Sequence, residues 1–421
     1  MAPPPAPGSA PAAAPAPNPV IEWNRTLLTI VRTKTPQPLQ PPTIHATRAF
    51  AMLHLGIYDA VVAVTGGKPY VREHVLRRPA SPAAAADQAA HDVLVALYPS
   101  QQAVLDSQLE ADLAQIRGGV LRVRGIAAGH AAAAAILANR AGDGAEATPP
   151  LYTVPPAPGV FEPVPPATAA FTHWAGVKPF VLSRAGQFRP PPPAPLNSPA
   201  YIATLQQVRS LGQNTSTTRT ADQTTIATFW SGSIWDYWNE IAQTASLAHH
   251  DTLTQDAQLF AQLNVALADS VIAFYDAKYT FNLWRPQAAI RSGFTGFPAE
   301  PGWTPLGKTP SEPSYPGAHA TVSEAAATVL GSYFHGNAEA LSVTSEVMPG
   351  VTRQFNGFAA AASEASASRV FAGVHTQADE DAGLQLGSSV ARFVIRESAL
   401  ASRSASRARH TAPRALHGRR D

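Results

Sequence analysis

Apolar residues recur at helical spacing over much of the chain. Between Thr43 and Val64, Ala49, Leu53, Ile57 and Val61 stand four apart, which gathers them on one face of an α-helix. The same periodicity runs without internal proline through Gln102 to Ile116, Val120 to Asn139, Leu253 to Lys278 and His319 to Phe334, each long enough to be held by tertiary packing. Alternating β-branched runs are scarce. The pattern predicts an all-α fold made of helical bundles, arranged as two halves.

Proline then divides the chain. Ala2 to Pro19 is Ala/Pro-rich, and residues 1–20 are predicted to be disordered. Residues 141–199 carry the runs Pro155-Pro156, Pro165-Pro166 and Pro190 to Pro193. That stretch is far longer than an ordinary connection, so it either separates two helical halves or wraps over the body as ordered coil. The predicted division is a helical body over 21–400, with one half up to 140, the connection at 141–199, and a second half over 200–400, followed by a tail at 401–421.

Composition narrows the class. With 421 residues, 45% hydrophobic and 14% charged, the chain can bury a large core. Its best membrane candidate, Gly119 to Asn139, is interrupted by Arg122, Arg124 and His130, so no membrane span is expected. The absence of cysteine excludes disulfides, thiolate metal sites and a thiol nucleophile. The net charge of +2 conceals a basic end: residues 401–421 hold six arginines against one aspartate, so the first 400 residues sum to -3. That Ser/Ala/Arg composition reads as a solvated, disordered tail, and no nucleic-acid partner is expected. Met1 to Pro19 has neither the basic nor the apolar region of a secretory signal, which leaves the compartment open.

Three motifs carry chemistry. In the first, Lys278 and Arg285 stand seven apart before Pro286; on a continuous helix they share a face two turns apart, and the helix is expected to stop at Arg285. Their neighbours Phe274, Tyr275, Phe281 and Trp284 would desolvate cations that lack an anion, although a solvated basic face is the plainer alternative. The second, Pro316-Gly317-Ala318-His319, opens a helix whose free N–H groups and dipole attract an anion and hold His319 near neutrality. Its plainer alternative is a helix start with a surface histidine. In the third, Arg369 precedes Gly373, His375 and Asp379. His375 and Asp379, at i and i+4, share a helix face, so the carboxylate can accept Nδ1–H and leave Nε2 bare, while Arg369 joins them only if the chain bends near Gly373. A satisfied buried His–Asp pair is the alternative. Together the three form a receptor for a tetrahedral or trigonal-bipyramidal oxyanion. His249-His250-Asp251 is weaker, because adjacent helical residues point apart.

The spacing Lys278, six residues, Arg285-Pro286, then Ser368-Arg369, five residues, His375, three residues, Asp379 resembles the vanadium-dependent haloperoxidases and the type 2 phosphatidic acid phosphatases. A wider resemblance to soluble bacterial haloperoxidase-like proteins covers residues 21–398, including Met52 to Asp59 and Arg219 to Gln223. It implies that Lys278, Arg285 and Arg369, with the backbone at Gly317 and Ala318, bind the oxygens of vanadate, or of phosphate in the same site. His375 would be the axial vanadium ligand, Asp379 its orienter and His319 the acid–base residue. The implied activity is peroxide-driven oxidation of halide, with hydrogen peroxide, halide and a small organic acceptor as partners and neither haem nor nucleotide. The alternatives are a metal-free acid phosphatase in which His375 is phosphorylated, and a non-catalytic oxyanion-binding protein. Two departures stand out. The Pro-Ser-Gly-His of the family reads Pro316-Gly317-Ala318-His319, so a serine hydroxyl is missing unless Ser314 substitutes for it. Tyr275 and Glu312 stand where the family places aromatic or histidine side chains near the halide, and an acid there repels an anion.

Overall fold

Helices begin where the sequence supplies a cap. In the computed structural model, which describes residues 18–33, 43–71, 79–164, 166–336 and 340–410, α1 (Pro19–Arg32), α3 (Pro82–Leu97) and α6 (Pro199–Leu211) each open with proline after a side-chain cap. Asn18, Ser81 and Ser198 accept from the N–H groups of Val20, Ala84 and Tyr201. Residues 1–17 of the segment predicted to be disordered lie outside the described residues.

The first half adds α2 (His45–Thr65), α4 (Gln102–Gln115) and α5 (Val120–Arg140). The second holds α7 (Ala221–Phe229), α8 (Ile234–His249), α9 (Leu253–Phe281), α10 (Pro286–Ser292), α11 (Ala318–Tyr333), α12 (Phe358–Phe371) and α13 (Gln377–His410). β1 (Leu341–Thr344) and β2 (Thr352–Phe355) pair antiparallel, Leu341 opposite Phe355. The five segments predicted from periodicity are α2, α4, α5, α9 and α11. α13 runs to His410, ten residues into the stretch predicted as a disordered tail. Its Ala/Ser/Arg composition has no proline before Pro413, so nothing in it breaks the helix.

α9 is the axis. It packs against α2 on one side and α11 on the other, and α11 packs against α12 and α13. One buried cluster, from Trp23 and Phe50 through Trp238 and Phe260 to Phe358 and Val390, runs through both halves. α2, α5 and α9 are each long and apolar enough to cross a membrane by length and composition. In α2 and α9 that apolarity faces the protein, 83% and 89% of the window being buried, against 33% in α5.

Residues 141–164 and 166–198 wrap over the body as ordered coil with short 3-10 turns at Trp174–Gly176 and Ala185–Phe188. The buried carboxylate of Asp269 on α9 fastens it, accepting from the N–H groups of Phe180, Val181 and Leu182 at 2.6, 2.8 and 2.9 Å. Farther along α9 the coil braces the chain after the helix: Phe161 N–H donates to Asn282 O and Trp284 N–H to Gly159 O. This is the segment that leads to Arg285.

Candidate active site

The first motif is not one helix face. α9 ends at Phe281, and Asn282 turns the chain through the left-handed region at φ 48, so Arg285 precedes α10 in extended conformation. That turn, rather than a shared face, brings the cations together. Lys278 Nζ donates to the carbonyls of Pro313 and Ser314 at 2.7 and 3.0 Å. Arg285 donates from Nε to Glu312 O and from Nη1 to Val374 O and to His375 Nε2, the last at 3.0 Å. Since an arginine only donates, His375 Nε2 accepts and its proton sits on Nδ1.

The third motif bends as expected but not where i and i+4 would require. α12 ends at Phe371, Gly373 takes φ 76, and His375 lies in the turn before α13. Asp379 is therefore in the first turn of α13 and closes a capping box: its carboxylate accepts from Thr376 N–H at 2.8 Å and its N–H donates to Thr376 Oγ1 at 3.2 Å. Ser314 Oγ donates to the same oxygen at 2.7 Å. Asp379 thus stands 3.4 Å from His375 Nδ1, an ion contact longer than a hydrogen bond. The Ser314 hydroxyl is committed to Asp379 and does not replace the missing serine.

At the start of α11, Gly317 has φ -67, which any residue adopts. Its N–H donates to Asp379 O at 2.8 Å, so it is not open to a ligand; Ala318, one residue on, lies in the first turn, where a helix offers its N–H no partner. The reason for glycine is space. A Cβ at 317 would stand 2.2 Å from Glu380 Oε1 and 2.6 Å from its Cδ. Glu380 is fully buried, accepts from Ser366 Oγ at 3.2 Å, and places Oε1 3.7 Å from His375 Nδ1. No motif in the sequence marks it. Its position beside Asp379 and Asp381 suggests a solvated helix start, and only the Gly383–Gly387 spacing hints that α13 approaches α11 closely.

His319 Nε2 donates to Trp230 O at 3.0 Å. Burial, then the Arg369 and His375 charges, hold its pKa well below the ordinary value, so the ring is neutral. Burial, with Arg285, Lys278 and Arg369 behind it, does the same to His375. Lys278 is lowered to about 8 and Arg369 to about 10, in both cases chiefly by burial, while burial raises Asp379 and pushes Glu380 up to about 8.

Three basic groups therefore share one buried region with three carboxyls, Glu312, Asp379 and Glu380. Polar atoms are nonetheless left over: Arg285 Nη2, Arg369 Nε, His375 Nδ1 and Glu380 Oε1 are buried without a hydrogen-bond partner. A cavity of about 210 Å³ reaches this region, lined by Arg369, His375, His319, Ala318 and Glu312 and walled by Phe171, Trp235, Phe274 and Tyr275. The structure brings every predicted site residue to this region. Unpartnered arginine donors beside an accepting imidazole nitrogen fit a multiply charged oxyanion.

Comparison with known proteins finds vanadium-dependent peroxidases. Residues 258–401 match the family of the vanadium chloroperoxidase (VCPO) second helical-bundle domain. Vanadium chloroperoxidase of Curvularia inaequalis is 27% identical over 29% of this chain, a match spanning about a quarter (24%) of that relative's length. A bacterial vanadium-dependent iodoperoxidase superposes with a TM-score of 0.76 at 26% identity, over 90% of this chain and 94% of its own. A bacterial vanadium-dependent chloroperoxidase in its holo form shares the fold with a TM-score of 0.72 at 17% identity, over 91% and 98%. Residues 258–401 thus resemble the second helical bundle of vanadium chloroperoxidase, and the fold of most of the chain is that of the bacterial vanadium-dependent peroxidases.

Proposed function

We propose that this chain is a vanadate-dependent haloperoxidase that uses hydrogen peroxide to oxidise halide and pass it to a small organic acceptor. The observation that carries the reading is the gathering of Lys278, Arg285, Arg369 and His375 in one buried region, which a cavity reaches at Arg369 and His375, with arginine donors still unpaired. Relatives in the family are a vanadium chloroperoxidase and a vanadium-dependent iodoperoxidase, which supports vanadate as the anion.

Lys278, Arg285 and Arg369 would hold the oxygens of vanadate with the Ala318 N–H, and His375 Nε2 would face the vanadium after releasing Arg285. When bound, vanadate supplies activation of peroxide for oxygen transfer. His319, neutral and with Nε2–H fixed on Trp230 O, offers Nδ1 to take a proton from peroxide and return it to product. The aromatic walls exclude water from this exchange and limit the acceptor to a small molecule. Asp379 holds the turn that carries His375, through Thr376 and Ser314.

The test is vanadate reconstitution followed by peroxide-dependent halogenation with iodide, bromide and chloride. Phosphate-ester hydrolysis inhibited by vanadate would replace the reading with a phosphatase, and oxyanion binding with neither activity would make the chain a binding protein.

A further inference from the structure

Lys278 Nζ uses two of its three donors on backbone carbonyls, and the nearest acid to it is Glu312 Oε1 at 3.5 Å. Arg285 uses Nε and Nη1 on the protein, and its remaining nitrogen, Nη2, has no hydrogen-bond partner and stands 3.5 Å from the same Glu312 Oε1. The donors that the two cations have to spare thus face one carboxylate oxygen. The second oxygen of Glu312 accepts from the Tyr275 hydroxyl. Glu312 lines the cavity, whereas neither Lys278 nor Arg285 is among its lining residues.

We propose that Glu312 is the built-in counter-anion of the Lys278–Arg285 pair, and that an oxyanion entering from the cavity must displace its carboxylate to reach both cations. The proposal rests on the oxyanion reading given above. Two buried cations this close repel unless an anion lies between them, and Glu312 supplies that anion. At 3.5 Å it satisfies neither donor fully, so a ligand with several charged oxygens makes shorter bonds than the carboxylate it replaces. A halide offers one charge and no array of oxygens, and does not displace it. The exchange is a side-chain rotation, because the backbone at 312–314 is pinned by Arg285 and Lys278 through its carbonyls. Glu312 thereby selects multiply charged oxyanions at the cation pair and lowers their affinity.

Calorimetric titration of the 421-residue chain with orthovanadate, and separately with inorganic phosphate, tests this in wild type, Glu312→Gln and Glu312→Asp. Removing a competing charged partner should tighten both anions about ten-fold or more in Glu312→Gln. Glu312→Asp keeps the charge but shortens its reach, so it should tighten as well. Tightening in Gln with wild-type affinity in Asp would assign the effect to the local field and overturn the proposal. So would unchanged or weaker binding in Gln while wild type binds, which leaves the oxyanion site standing. Binding in none of the three overturns both readings. Should the variants fail to fold, a vanadate-loaded structure of the wild type decides: a carboxylate moved off Lys278 and Arg285 supports displacement, and one still in contact with both refutes it.

Discussion

Gly317→Ser restores the residue that the family motif carries, and motif logic alone expects a tighter oxyanion site. An added hydroxyl donating to a charged acceptor contributes about 1.5–3 kcal/mol. Backbone strain does not oppose it, since φ is -67. Space does: the new Cβ would stand 2.2 Å from Glu380 Oε1 and 2.9 Å from Oε2. Glu380 is fully buried between Ser366, His375 and α11, so its carboxyl yields at the cost of its contacts with Ser366 and His375. Overpacking of this kind costs about 1–3 kcal/mol, and it falls on the residue whose Nε2 should meet the ligand. The overlap therefore cancels the gain from the hydroxyl: Gly317→Ser is expected to lose stability and to bind vanadate no more tightly than wild type.

A double-mutant cycle with Glu380→Ala measures this directly. Removing the carboxyl makes room for the serine, so the double variant should be more stable than the sum of the single costs by about 1 kcal/mol or more, and only there should the hydroxyl raise vanadate affinity. Urea unfolding followed by vanadate titration reads both quantities. Additive stabilities, or a tighter site in Gly317→Ser alone, would show that Glu380 does not occupy the serine's place.

His375→Ala should abolish vanadate binding in equilibrium titration, while His319→Ala should leave vanadate bound and lower turnover; equal loss of affinity would undo the division of roles. Burial lowers Lys278 from its unfolded value of 10.5 to about 8, so the unfolded chain binds more protons between those values and this residue's contribution to stability rises with pH across that window. As Lys278 loses its charge, oxyanion affinity should fall above about pH 8, and titrations of Lys278→Arg over the same range should lack that limb. Asp269→Asn removes an acceptor shared by three N–H groups of the coil; hydrogen exchange at 180–182 should rise well before global unfolding, and unchanged protection there would show that the carboxylate is not the fastener.

The sequence carried the membership of the site better than its geometry. Lys278, Arg285, Arg369 and His375 were legible because few arrangements other than an anion site keep such cations among aromatic residues. Local periodicity misled twice, at Asn282 and at His375, where the chain leaves the helix and tertiary contacts set the direction of the side chain. Two prolines misled in another way: Pro19 and Pro199, assigned to the disordered N-terminus and to the connection, are first residues of helices, and Asn18 and Ser198 before them are the sign of a helix start.

Glu380 illustrates what one-dimensional reading leaves out. In a run of three acids at a helix start, dipole and solvation both favour exposure. Gly383 and Gly387 reverse that, because side chains at those positions would fall 2.5 Å from Gly317 O and 2.1 Å from Thr321 O. Only with glycine at both can α13 lie directly on α11, and that contact carries Glu380, one turn earlier, under residue 317. The glycine in the motif and the acid on α13 are then one feature: a side chain at 317 and a carboxyl at 380 claim the same volume. In this chain a serine at 317 and the carboxyl of Glu380 compete for space, so the departure from the motif is matched by the packing of α13 on α11.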